Sequence, residues 1–241
     1  MVRRIQSLWQ VASRVATAPT QDLFVLRGGL VVCGLVAPAP RPVDDVDFLL
    51  TVDSLDACRQ AVEGVFGAVE WQTIWEETEF PGLRGEVPSE TGPVQVDIGF
   101  GDPMPRPPVP LHTPTGEVLA AVAPEVLFAW KVHGLFERGR GIWRGKDLFD
   151  CILMMRAGLV DEVHVPHAVD VSFRSRGTDF GAATARFFSD EFGHSRGGHR
   201  RWRSFRRRRP DAPESHLPLL AELRTYLTRV LKIESKGEDA L

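Results

Sequence analysis

The chain has 241 residues, of which 43% are hydrophobic and 25% are charged, an ordinary globular composition with enough apolar material for a sizeable core. Its net charge of −3 excludes a general attraction to nucleic acid, so any such affinity requires a local basic patch. The three scattered cysteines exclude a disulfide framework or a zinc cluster, and no segment approaches the ~20 apolar residues that cross a membrane. We therefore expect a cytoplasmic protein without a membrane partner.

The first half of the chain mixes strands and helices. Helical spacing predicts an amphipathic N-terminal helix, and "DLFVLR" then predicts a strand leading into a helix at "GGLVVCGLV". Beyond the proline-rich loop "PAPRP", a strand is predicted at "DDVDFLLTV" and a helix at "SLDACRQAVEGVF", with Asp53 or Ser54 as its cap. Residues 69–77, 83–87 and 92–100 predict further strands.

The second half reads as helical. The proline cluster "DPMPRPPVP" predicts the end of the sheet, because proline removes ladder donors. Helices are predicted from residue 115 onward, at residues 124–139, 145–158, 178–192, 199–209 and 216–233. We expect an α+β protein in two domains. A small mixed sheet flanked by helices occupies residues 1–112, and a helical C-terminal bundle that completes the active-site cleft occupies residues 113–241.

Acidic residues inside apolar strands are the first candidates for chemistry. Asp45 and Asp47 lie two apart in one strand and so face the same side, and Asp97 lies in another apolar strand. Clustered carboxylates repel one another unless a cation neutralises them, which predicts a site for a hard divalent metal, chiefly Mg²⁺. The alternative is that the acids cap loops or pair with an arginine such as Arg41, while Asp44 faces the opposite side.

Two glycines precede the acidic strand. Gly28 and Gly29 lie between a strand and a helix, where glycine lets the backbone approach a ligand and the helix start offers free N–H donors to phosphate. Alone, such a pair is usually just a turn. Followed by an acid–x–acid strand, it predicts a nucleotide site.

Lysine is rare here, since only four of the 29 basic residues are lysines. Lys131 and Arg138 are seven apart on one predicted helix, and an ammonium group is a compact partner for a triphosphate. The alternative is an ordinary solvated helix face. Asp147 and Asp150 share a face of the next helix, and Asp150 could instead pair with Lys146, one turn away.

The segment Arg196–Arg209 carries eight arginines with Trp202 and Phe205 among them. Arginines beside aromatic residues can hold phosphates and stack on bases, which is typical of RNA binding. The alternative is a solvated helix whose two aromatic residues anchor it to the bundle.

The motifs "LRGGLVVCGLV", "RPVDDVDFLL", "VQVDIGFGDP" and "PEVLFAWKVHGLFERGRGIWRGKDLFD" resemble the AbiEii-type nucleotidyltransferases, toxins of bacterial abortive-infection toxin–antitoxin pairs. The resemblance covers roughly residues 20–160 and implies a polymerase-beta-like nucleotidyltransferase fold. It matches Gly28 and Gly29 to the glycine motif, Asp45 and Asp47 to the metal pair, and Lys131 to the lysine motif. Asp97 falls where the wider superfamily has a third carboxylate, and either Asp147 or Asp150 matches the last aspartate. Gly29 stands where the superfamily often has serine.

The residues and the resemblance together predict a Mg²⁺-dependent nucleotidyltransferase. It would move a nucleoside monophosphate from a nucleoside triphosphate to an acceptor, with RNA or a tRNA end as the expected acceptor and a cognate antitoxin as partner. The alternatives are nucleotide transfer to a small molecule, as in antibiotic-modifying relatives, and a non-catalytic nucleotide- or RNA-binding protein of the same fold.

Overall fold

The computed structural model describes residues 2–36, 41–76 and 80–233, apart from the side chains of residues 2 and 138–142. The chain divides into two compact units, Met1–Ala123 and Pro124–Leu241. The first unit is built on a mixed sheet and the second is helical, which confirms the α+β class. The division falls after Ala123, beyond the boundary at residue 112 that the proline cluster predicts, and the role of each domain stays a prediction.

Within the described residues, seven strands form one sheet in the order β3-β4-β5-β2-β1-β7-β6. They are β1 (Phe24–Arg27), β2 (Asp45–Leu50), β3 (Gln72–Ile74), β4 (Gly82–Val87), β5 (Val94–Phe100), β6 (Val109–His112) and β7 (Val118–Ala121). Strands β2 and β5 are parallel neighbours, while β1 and β4 flank them in antiparallel pairing. The strands that carry the predicted acids are therefore adjacent at the centre of the sheet.

The central strands bury one face and leave polar side chains on the other. In β2, Val46, Phe48 and Leu50 are buried, whereas Asp45 and Asp47, which alternate with them, are partly exposed. Phe48 meets Phe24 of β1 edge to face with ring centroids 5.6 Å apart. Burial of each such side chain contributes about 1.5–3 kcal/mol, so this face fixes the register of the strands and thereby the positions of the acids.

In the described part of the first unit, the sheet is accompanied by α1 (Val2–Ser13), α2 (Gly28–Leu35) and α3 (Leu55–Phe66), with short 3-10 helices at Arg14–Thr17 and Gln21–Leu23. Ser54 caps α3, since its side chain accepts a hydrogen bond from the backbone N–H of Ala57. Of the two predicted caps, Ser54 is therefore the one used. Helix α2 begins directly at the end of β1, which places its N-terminus beside β2.

The prediction that helices begin at residue 115 is wrong for the segment that forms β7. Strand β7 pairs in parallel with β1, and β6 pairs with β7 at the end of the sheet. Pro110 lies in β6, where an edge strand tolerates a residue without an N–H donor. The proline cluster is therefore a connection within the sheet.

The second unit consists, in its described residues, of seven helices: α4 (Pro124–Ile142), α5 (Gly145–Arg156), α6 (Val165–Arg174), α7 (Phe180–Phe187), α8 (Asp190–His194), α9 (Arg196–Arg206) and α10 (Leu217–Leu231). Helix α4 packs against α5, α6, α7, α8 and α9 and so forms the centre of the bundle. Helix α6 was not predicted, and the helix predicted over residues 178–192 is divided into α7 and α8 at Ser189, whose backbone is extended. Among the described helices, none has the length and apolar character to cross a membrane.

Candidate metal and nucleotide site

The structure brings Asp45, Asp47 and Asp97 together. Asp47 of β2 lies directly opposite Asp97 of the parallel strand β5, and Asp45 precedes Asp47 by two residues on the same face. One carboxylate oxygen from each of the three residues lies within 4.8 Å of the others. Asp97 is buried, with 4% of its surface exposed, whereas the other two are partly exposed. This is a set of oxygen donors, two of them accessible, of the type that Mg²⁺ prefers.

Gly28 lets this acidic cluster lie against the start of α2. Its φ is +76°, and a Cβ placed there would overlap the carboxylate of Asp47. Both observations require glycine, because a side chain would be strained at that φ and would displace Asp47. The N-terminus of an eight-residue helix and a predicted metal ligand are thereby held next to each other.

Gly29 has a different neighbour. A Cβ at Gly29 would lie 2.7 Å from Nη2 of Arg41, a buried residue whose Nη1 donates to the carbonyl of Pro42 at 3.0 Å. A serine at position 29 would therefore require the guanidinium of Arg41 to move. The guanidinium of Arg41 thus occupies the space that a side chain at position 29 would need.

An arginine pairs with one of the acids, and this arginine is Arg84. Arg84 of β4 lies opposite Asp97 and grips it with two bonds, from Nε to Oδ1 at 2.7 Å and from Nη2 to Oδ2 at 2.6 Å. The amide of Gln95 donates to both oxygens at 3.2 and 3.3 Å. The hydrogen bonds with Asp97 raise the pKa of Arg84, burial opposes this, and attraction to all three carboxylates adds to it.

Arg84, Asp97 and Asp47 lie opposite one another on neighbouring strands, and a second arginine extends this row on the side of β1. Arg27 of β1 lies opposite Asp47 in register, and its Nη1 bonds to Oδ2 of Asp102 at 2.7 Å. A Cβ at Gly99 would lie 2.8 Å from Nη2 of Arg27, so the glycine leaves room for the guanidinium. Two aspartates at the centre of the row are thus flanked by two arginines. Arg27, Arg84 and Asp102 were not predicted, because strand register is not visible in the sequence.

In the helical unit, Lys131 of α4 makes an ion pair with α5. Its Nζ lies 2.7 Å from Oδ2 of Asp150 and 3.9 Å from Oδ1 of Asp147. The side chain of Asp150 is fully buried, and that of Lys131 is 7% exposed. Lys131 is therefore not on a solvated helix face, and it pairs with Asp150. The side chain of Arg138 lies outside the described residues.

The arginines between residues 196 and 209 differ in their contacts. Trp202 is buried and donates from Nε1 to the carbonyl of Pro213 at 3.0 Å, so it anchors the helix as the alternative interpretation expected. Arg206 donates to the carbonyl of Ala212, and Arg209 pairs with Asp211 at 2.7 Å. By contrast, Arg200, Arg203 and Arg207 line, with Ser204, an open groove of about 400 Å³, and no ion pair is described for these three.

Comparison with known proteins extends this picture. The sequence profile of the family described as "Nucleotidyl transferase AbiEii toxin, Type IV TA system" matches residues 11–229. A search of curated proteins found no match. Among solved structures, the chain is similar to an antigenic nucleotidyltransferase-like protein from Paracoccidioides brasiliensis, with 17% identity, a TM-score of 0.47, and coverage of 79% of this chain and 98% of that one. It is also similar to JHP933 from Helicobacter pylori, with 12% identity, a TM-score of 0.45, and coverage of 96% and 91%.

The family match spans both units and includes every residue of the acidic cluster and of the Lys131 pair. The resemblance read from the motifs is thereby confirmed over a longer stretch than the motifs themselves cover. The chain belongs to the AbiEii family of nucleotidyltransferase toxins of type IV toxin–antitoxin systems.

Proposed function

We propose that this nucleotidyltransferase moves a nucleoside monophosphate from a nucleoside triphosphate to an acceptor, with release of pyrophosphate, and that the reaction depends on Mg²⁺. The observation that supports this most strongly is the convergence of Asp45, Asp47 and Asp97 within 4.8 Å at the start of α2. Three carboxylates at one point are what metal-assisted phosphoryl transfer requires, and a single buried acid elsewhere in the sheet would not suffice.

The residues present fit Mg²⁺. Their donors are hard carboxylate oxygens, Gly28 leaves room for the carboxylate of Asp47, and Asp97 is oriented by Arg84 and Gln95. Mg²⁺ bound there supplies positive charge to the phosphate oxygens of the transition state. Asp45 and Asp47 hold the cation in this proposal, and Asp97 completes the site and accepts the proton of the attacking hydroxyl.

The start of α2 is the proposed phosphate cradle. The first N–H groups of a helix have no partner within it, and the helix dipole favours negative charge at this end. Gly28 and Gly29 add no side chains of their own at this helix start, where the carboxylate of Asp47 and the guanidinium of Arg41 lie beside them. Gly28 and Gly29 therefore bind the triphosphate through the backbone, without the hydroxyl that a serine would offer.

Lys131 is the proposed contribution of the helical unit. We assign it to steadying the triphosphate, as the family motif implies, and its ion pair favours Asp150 over Asp147 as the aspartate that orients it. Asp147 and Arg138 keep their predicted roles, in the site and in nucleotide binding, as parts of this proposal.

RNA, and in particular a tRNA end, is the proposed acceptor, and a cognate antitoxin is the proposed partner, both in keeping with a toxin family. The groove of Arg200, Arg203 and Arg207 supports RNA, since three guanidinium groups on one helix face match a phosphodiester backbone. Within the predicted RNA-binding segment Arg196–Arg209, we therefore assign RNA binding to these three residues.

Incubation of the protein with each α-labelled nucleoside triphosphate and total RNA tests the proposal. We expect label to enter RNA in the presence of Mg²⁺ and not in EDTA, with pyrophosphate released in equal amount. Label that enters a small molecule would favour the small-molecule alternative. Nucleotide binding without pyrophosphate release would favour a non-catalytic protein.

A further inference from the structure

Arg84 contacts the acidic cluster of Asp45, Asp47 and Asp97 but belongs to none of the predicted motifs. Its two hydrogen bonds to Asp97, at 2.7 and 2.6 Å, are the strong bidentate kind, and the side chain of Asp97 is 6% exposed. The side chain of Arg84, however, is 41% exposed. One end of this ion pair is fixed in the sheet and the other reaches solvent.

The ion pair of Arg84 with Asp97 compensates part of the negative charge of the acidic cluster. Three carboxylates within 4.8 Å repel one another, and a buried carboxylate without a partner is costly. The guanidinium of Arg84 offsets one of the three negative charges. It does for the cluster what a bound cation would otherwise do, so the sheet can hold the acids before any metal arrives.

Arg84 and a metal ion then compete for the same carboxylate. Both oxygens of Asp97 already accept hydrogen bonds from Arg84, and a positive guanidinium beside the cluster repels a second cation. A guanidinium has five N–H donors, of which two are used on Asp97. Because the side chain is partly exposed, the remaining donors are accessible to an anionic ligand.

We propose that Arg84 is the resident counter-cation of the acidic cluster and a binding residue for the triphosphate, which it contacts when a divalent cation engages Asp97. This rests on the proposed function, since it names the residue that receives the phosphates at the same site. The ligand class is a divalent cation complexed with a polyphosphate. Binding of the cation and of the polyphosphate is thereby coupled, because each relieves the repulsion that the other meets.

The test compares the full chain with Arg84→Gln, using two probes in separate titrations: Mn²⁺ alone, and inorganic tripolyphosphate saturated with Mn²⁺. We expect Arg84→Gln to bind Mn²⁺ alone about tenfold more tightly, since one repulsive and competing charge is removed, and the Mn²⁺–tripolyphosphate complex about tenfold more weakly. The proposal therefore predicts that the substitution changes the affinities for the two probes in opposite directions. Arg14→Gln is the matched control, because Arg14 is an exposed arginine of the same unit that bonds only to the carbonyl of Pro88 in the hydrogen bonds described.

Weaker binding of Mn²⁺ alone by Arg84→Gln would overturn the proposal, since Arg84 would then only orient Asp97. Unchanged binding of either probe would overturn it as well. If the wild-type chain binds neither probe, the proposed function itself fails, which is a distinguishable result. Should Arg84→Gln fold poorly, Arg84→Met carries the same test, because it also removes the charge and both hydrogen bonds to Asp97 while keeping an apolar side chain of similar length.

Discussion

Gly28 and Asp47 occupy adjoining space, so a side chain at position 28 would displace Asp47. The left-handed φ of +76° at Gly28 costs any other residue about 1–3 kcal/mol, and its Cβ would displace the carboxylate of Asp47. The glycine at the start of the proposed phosphate site thus also sets the position of a proposed metal ligand.

We therefore expect Gly28→Ala to lower the free energy of unfolding by about 1–3 kcal/mol and to weaken Mn²⁺ binding. Chemical denaturation and a Mn²⁺ titration measure the two effects. Gly64→Ala is the control, because Gly64 lies in α3 with nothing within 4 Å of its would-be Cβ, and alanine there stabilises a helix by about 0.5–1 kcal/mol. Equal effects of the two substitutions would contradict this account of Gly28.

Substitutions at the ion pair of Lys131 with Asp150 can distinguish a structural role of Lys131 from a catalytic one. Lys131→Met leaves a fully buried carboxylate without its charged partner, so we expect a loss of about 3–5 kcal/mol in the free energy of unfolding. The double substitution Lys131→Met with Asp150→Leu should recover most of this stability, because it removes both charges. If Lys131 also binds triphosphate, the double variant stays inactive although it is folded. Recovery of nucleotide transfer along with stability would show that the pair is only structural.

At the scale of the elements, β2 and α2 could be read from the sequence because each carries its own signal. Alternation in β2 separates Val46, Phe48 and Leu50 from the acids, and Gly28 marks the turn into α2. The alternation does not say which strand lies next to β2. The pairing of Asp97 with Arg84, and that of Arg27 with Asp102, depends on strand order and register, which are set by packing across the sheet.

Two further elements were missed for local reasons. Strand β6 contains a proline, and only its position at the edge makes it a strand. Helix α6 carries Val165, Val169 and Phe173 at helical spacing, but its histidine and the preceding turn residues obscured the pattern. Local signals therefore predict the acids and the glycines of the site, whereas the arginines that neutralise the acids require the tertiary structure.

The buried His216 gives α8 and α10 a pH dependence. Its Nε2 donates to the carbonyl of Gly193 at 2.8 Å, and its Nδ1 has no hydrogen-bond partner among the described residues. Burial lowers the pKa of His216, its hydrogen bond with Gly193 opposes this, and His199 and His194 nearby lower it further. In the unfolded chain a histidine titrates near ~6.5, so the unfolded state binds more protons below that pH.

Stability from His216 is therefore present above about pH 6.5 and is lost as the pH falls below it. We expect the wild-type protein to have a lower thermal unfolding midpoint at pH 5.5 than at pH 7.5. The difference between the two midpoints should be smaller in His216→Gln. His167→Gln, which removes an exposed histidine, serves as the control and should keep the wild-type difference. An unchanged pH difference in His216→Gln would contradict the assignment.

The groove on α9 makes a prediction about salt. Replacing Arg200, Arg203 and Arg207 together with glutamine should weaken RNA binding and reduce the log–log salt slope by roughly 0.7–0.9 for each lost phosphate contact. The control replaces Arg156, Arg174 and Arg229, which removes the same charge from arginines that are already paired with acids. Filter binding at several salt concentrations measures both. Equal salt slopes in the two triple variants would show that RNA binding depends on the net charge of the protein and not on the groove.

At the scale of the whole molecule, each unit carries part of the proposed chemistry. The sheet unit holds the acidic cluster and the start of α2, and the helical unit holds Lys131 and the arginine groove. The family match runs through both units. This distribution explains why the separate motifs are far apart in sequence, and it makes the acidic cluster the feature on which the other assignments depend.

Nucleotide transfer by Asp45→Asn, compared with Asp44→Asn, tests that cluster most directly. The two substitutions remove the same charge from adjacent residues, but Asp45 lies in the cluster and Asp44 is exposed and outside it. With labelled nucleoside triphosphate, RNA and Mg²⁺, we expect Asp45→Asn to lose transfer by at least about 100-fold while keeping the wild-type unfolding midpoint, and Asp44→Asn to stay within about twofold of wild type. Full transfer by folded Asp45→Asn would contradict the assignment of the acidic cluster as the catalytic metal site.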